Sequence, residues 1–86
     1  MNKGIIKFDR VVLGEMLEDV NSAKSIFTNF YPSSIIDDFR NREFVTYFGY
    51  SEHFDAVEEG ELSTSYDMIF VKNDVGIVEF KEMKRI

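Results

Sequence analysis

From Asp9 onward, Val12, Leu13, Met16, Leu17 and Val20 recur at three- and four-residue spacing. This predicts an amphipathic helix over residues 10–20, with Asp9 as its cap and Glu15, Glu18 and Asp19 on the wet side. Gly14 interrupts that helix, and a glycine there lowers its propensity unless it permits a close approach to a sheet. After a break or cap at Asn21–Ser22, Ala23, Ile26, Phe27 and Phe30 form a second apolar stripe, which Tyr31 ends because it precedes Pro32. Ser33 or Ser34 then caps a short third helix, with Asp37 completing a capping box and Ile35, Ile36 and Phe39 as its apolar side. Ahead of all three, Gly4–Ile5–Ile6–Lys7–Phe8 reads as a short edge strand or as a lead into the first helix.

The second half changes period. Residues 43–50 carry apolar or aromatic groups on both faces and predict a strand that is central or covered by the helices. A shorter strand is expected over His53–Val57, and a turn at Glu58–Glu59–Gly60–Glu61. Residues 66–72 and 77–83 are rich in β-branched and aromatic side chains, and Asn73–Asp74–Val75–Gly76 between them are turn formers, so this stretch predicts the hairpin around which the fold is organised. A four-residue loop would oppose Val71 to Val78 and Ile69 to Phe80; a three-residue loop would oppose Phe70 to Val78 and Met68 to Phe80. The four-residue loop is preferred because it puts Gly76 where the turn wants a left-handed residue. The expected architecture is a single α+β domain spanning residues 1–86, with two or three short N-terminal helices packed on an antiparallel sheet of three or four strands ending in the 66–83 hairpin.

Composition narrows what such a domain can do. A chain of 86 residues buries a modest core, which nine Phe and four Tyr enlarge. The chain has no cysteine, which excludes disulfides, thiolate catalysis and cysteine-ligated zinc. No apolar run approaches the ~20 residues that span a bilayer, and no signal-peptide core follows Met1–Asn2–Lys3, so neither a membrane association nor export is expected and the default address is the cytoplasm.

Charge is unevenly placed. The net charge of −6 arises from residues 43–71, where Glu43, Glu52, Asp55, Glu58, Glu59, Glu61 and Asp67 are uninterrupted by any lysine or arginine. Such a field favours a basic protein surface and repels phosphate backbones, so direct nucleic-acid binding is not expected. Arg40 and Arg42 are read as neutralising nearby acids, and Asp37 with Asp38 as first-turn acids of the third helix rather than a catalytic pair. The single His53 with Asp55 is a poor ligand set, no glycine pattern cradles a phosphate, and no serine has a triad; no cofactor is implied.

Asp67, the hairpin, and Glu79–Phe80–Lys81 together resemble the core of metal-dependent nucleases, in which an aspartate and a Glu-x-Lys unit on adjacent antiparallel strands surround Mg²⁺. The resemblance implies Asp67 and Glu79 as metal-binding acids, Lys81 as the residue that positions or activates water, and Glu15 or Glu18 as a helical acid. It also implies a further helix and strand beyond the lysine, whereas this chain ends five residues after Lys81.

The leading expectation is a non-enzymatic, acidic protein-binding module that inhibits a basic partner, in the manner of immunity proteins, antitoxins or virus-encoded nucleic-acid mimics. Its charged rim would be Glu52, Asp55, Glu58, Glu59 and Glu61, and its aromatic anchors Tyr47, Tyr50, Phe54 and Tyr66. The alternatives are the minimal nuclease and a structural or regulatory homo-oligomer, a homodimer being natural for a chain with rings on both faces of one strand.

Overall fold

The computed structural model describes residues 1–37, 40 and 42–86. The chain runs β1 (Asn2–Asp9), α1 (Arg10–Glu18), α2 (Val20–Asn29), β2 (Tyr31–Ile36), β3 (Phe44–Ser51), β4 (Ser65–Lys72) and β5 (Val78–Arg85). The strands form one sheet in the order β2-β3-β1-β4-β5, in which β1 pairs antiparallel with β3 and parallel with β4. The α+β class and the N-terminal helices are as expected, but the sheet is mixed and has five strands. No helix among the described residues is long and apolar enough to cross a membrane.

Caps explain how the helices start. The Asp9 carboxylate accepts from the backbone N–H groups of Val11 and Val12, and Asp19 does the same for Ser22 while also taking the Ser22 hydroxyl. Asp19, read from the sequence as a wet-face residue of the first helix, is therefore the junction where α1 stops and α2 begins. Leu13 and Met16 of α1 and Ile26 of α2 enter the core, joined by Phe30 just beyond α2. Gly14 has open space where a Cβ would stand, so no close approach to the sheet depends on it.

Four expectations are corrected. The third helix is absent over Tyr31–Ile36, which form edge strand β2; Asp38 and Phe39 lie outside the described residues. The adjacent β-branched Ile35 and Ile36 suit opposite faces of a strand, a preference that outweighs the Ser34/Asp37 capping signal. Residues 4–8 belong to the central strand of the sheet, not to an edge or a lead-in, and the 66–83 hairpin lies at one side of the sheet rather than at its centre. Residues 53–57 form no strand; they begin a loop.

The hairpin takes neither anticipated register. Val71 faces Glu79 and Lys72 faces Val78, while Ile69 faces Glu82, so Lys81 is the extra residue of a bulge. The turn is closed by Asn73, whose N–H bonds to Ile77 C=O at 2.9 Å and whose side-chain oxygen accepts from Val75 and Ile77 N–H. Gly76 supplies the left-handed residue this turn needs, at φ +83°.

Register also assigns the two sheet faces. One face presents Ile6, Phe8, Val45, Tyr66 and Met68 to the helices; the other presents Lys3, Ile5, Lys7, Phe48, Tyr50 and Asp67 with no element over it among the described residues.

Candidate functional site

The acidic residues are organised by the turn at the end of β3. Ser51, fully buried, ends that strand by donating its hydroxyl to Asn29 C=O at 2.6 Å and accepting from His53 N–H. The chain turns there and drives the Phe54 ring back over the sheet. Phe54 stacks on Tyr66 with ring centres 4.5 Å apart and leans against Phe30 at 5.9 Å. It occupies the space above Gly4, where a Cβ would come within 2.6 Å of the ring. The Tyr66 hydroxyl accepts from Asp55 N–H at 2.8 Å, and Asn2 donates to Phe54 C=O at 2.9 Å.

Beyond this plug the loop leaves the core and returns. Glu61 N–H closes a turn onto Glu58 C=O, Gly60 takes φ +88°, and Ile5 N–H holds Thr64 C=O where β4 is about to start. Residues 52–64 are thus pinned at both ends by the strands they connect. Between the pins stand Glu52, Asp55, Glu58, Glu59 and Glu61, all exposed. Among them Asp55 has Arg85 at 3.9 Å and Glu52 has His53 at the same distance; both pairs are open to solvent and screened.

Of the seven-acid block, five residues are therefore gathered on one loop and two are not. Glu43 sits at the opposite end of β3, ~30 Å along the strand from Glu52 at the usual rise per residue, where its C=O accepts from Arg10 N–H. Asp67 lies on the uncovered sheet face opposite Lys84.

The proposed aromatic anchors divide in a different way. Phe54 and Tyr66 are core residues, 3% and 2% exposed, and cannot serve as surface anchors. Tyr47 packs edge-on against Phe8 and Phe30 and is half-buried. Tyr50 is exposed, but on the uncovered face of the sheet. The sequence reading missed Leu62, which stands 93% exposed beside Glu61 on the acidic loop. A lone leucine in a polar stretch carries no periodic signal, so only the fold reveals it.

The nuclease-like residues do not converge. Four positions of β4 separate Asp67 from the partner of Glu79, a spacing of ~13 Å, and Lys81 occupies the bulge. Glu15 lines a cleft of about 360 Å³ on the helix side of the sheet, with Met16, Phe70 and Val78, whereas Asp67 and Glu79 face the other way. Glu18 is an exposed residue of α1. Among the described residues no three of His, Cys, Asp and Glu are grouped as metal ligands. His53 has its ring tilted over Phe80 and its Nε2 3.2 Å from the Asn29 side-chain oxygen.

Comparison with protein-family models, with curated proteins and with solved structures finds no match to this chain.

Proposed function

We propose that the chain is an acidic protein-binding module whose 52–64 loop meets a basic surface on a partner protein, and that inhibition of that partner is its use. One observation carries the reading: five carboxylates and a bare leucine share a loop that the Phe54–Tyr66 stack pins to the core. Pinning lowers the conformational entropy lost on binding, and the carboxylates steer a cationic surface toward Leu62, which fills an apolar gap at the contact. Blocking a nucleic-acid-binding surface is the inhibitory use that such a carboxylate array suits.

The test is capture of a partner from the native host by immobilised protein, followed by titration of the purified pair at low and high salt. Reversal of Glu58, Glu59 and Glu61 to lysine should slow association by roughly tenfold or more, and added salt should weaken the parent complex more than the variant. Leu62→Ala should weaken binding by about 1–2 kcal/mol with little change in salt dependence. A partner bound equally well by the triple reversal removes the loop from the interface.

A further inference from the structure

We propose that the uncovered face of the sheet is a self-association surface, packed against the same face of a second copy of this chain about a two-fold axis. The proposal is independent of the role assigned to the acidic loop. Tyr31 and Ile36 from β2 and Phe44 and Tyr50 from β3 lie together on this face, between 37% and 53% exposed, and Val71 from β4 is 42% exposed. Partly covered Phe48, Ile5 and Ile69 continue the apolar surface from β3 through β1 to β4.

Area favours a partner of this size. Side chains of this kind, half exposed, carry ~100 Å² apiece, so the five most exposed supply ~500 Å² per copy and ~1,000 Å² across a symmetric pair, the level a specific interface must reach. Phe48, Ile5, Ile69 and the lysine stems add to that figure.

Charge chooses the second copy over a basic partner. A molecule of net charge −6 repels itself through its acidic loop, but the open face carries both signs: Lys3, Lys7 and Lys84 against Asp9, Asp67, Glu79 and Glu82. The Lys7 ammonium already lies 5.9 Å from the centre of the Phe44 ring, which spreads positive charge over the aromatic part of the surface. A strongly cationic partner would meet those lysines, whereas an identical face offers each sign its opposite. Two sheets packed in this way keep their strands roughly aligned and interleave the rings of the two β3 strands. The edges offer less: Pro32 and a register shift interrupt β2, and Ser25 of α2 bonds to Val78 C=O at the start of β5.

Sedimentation of the purified chain from micromolar to millimolar concentration tests the proposal, alongside Ile36→Arg, Tyr50→Arg and the loop variant with Glu58, Glu59 and Glu61 reversed. The parent should be a dimer, the loop variant should remain one, and each face variant should raise the dissociation constant at least a hundredfold while keeping the parent's circular dichroism. The altered side chains are already half in water, and Ile36→Ser replaces the arginine variant if β2 is disturbed. A parent that stays monomeric throughout overturns the proposal, as does a dimer that survives the face variants or is lost only in the loop variant.

Discussion

The two faces of one sheet are built from interleaved residues of the same strands, yet they differ in how their side chains are used. On the helix side Ile6, Phe8, Val45 and Tyr66 are all but sealed from water. On the other side Phe44 and Tyr50 belong to the same β3 strand and remain 37% and 46% exposed. Ring content alone therefore does not mark the core of this chain. What separates the faces is which one α1, α2 and the Phe54 plug cover. The covered face fixes the fold, and the open face keeps its rings partly in water.

Truncating one ring on each face puts this contrast to its strongest test. Phe54→Ala removes a ring that fills the space over Gly4 and stacks on Tyr66, and it should cost about 3–5 kcal/mol, lowering the melting temperature by ~15 °C or more. It should also release the acidic loop, detectable as faster amide exchange over residues 55–63. Tyr50→Ala, measured at concentrations where the chain is monomeric, should change stability by less than ~0.5 kcal/mol. Equal losses from the two substitutions would mean that the open face is covered in solution by part of the same chain.

Two glycines probe the same division. A Cβ on Gly4 would meet the Phe54 ring at 2.6 Å, whereas one on Gly14 would meet nothing within 4 Å. Gly4→Ala must push the plug outward and should destabilise by about 1–3 kcal/mol. Gly14→Ala should stabilise α1 by ~0.5–1 kcal/mol, since the helix interior gains propensity without a clash. Thermal melts of the two variants should move in opposite directions.

These particulars show where local pattern suffices. Asp9, the helical segments of α1 and α2 with Leu13, Met16 and Ile26 inward, and the strand at β3 are legible because caps and periodicity act over a few residues, whereas Val12, Leu17, Val20 and Phe27 of the same stripes stand exposed. The central position of β1 is not, since its parallel pairing with β4 joins Ile6 to Tyr66 across most of the chain, and no local signal announces a partner so distant. β2 is misleading because Pro32, Ser34 and Asp37 imitate a helix stop followed by a capping box, while its strand pairing is set by β3. Phe54 and Tyr66 look like surface anchors for the same reason: the space that takes the Phe54 ring exists only with Gly4 beneath it, and Tyr66 is covered by stacking on that ring. The acidic block is visible as composition, but its division into a five-residue loop and two remote carboxylates comes from the path of β3.

A weaker effect lies at the junction that lets two short helices cover one face. Asp19 accepts hydrogen bonds from the Ser22 hydroxyl and N–H, which hold its carboxyl below the usual aspartate range. A carboxylate with a lowered folded-state pKa binds its proton more readily in the unfolded chain. The stability it contributes is present above the ordinary aspartate value and is lost as the pH falls through the lower folded value. The Asp37 carboxyl, held down by its hydrogen bonds from Arg10, acts in the same direction near β2. Acidification below the ordinary aspartate range should therefore lower the melting temperature, and Asp19→Asn should remove part of that dependence because an amide keeps a capping oxygen without titrating. Melts of parent and variant across the acid range should converge as the pH falls. Curves that remain parallel would remove Asp19 as a source of the acid sensitivity.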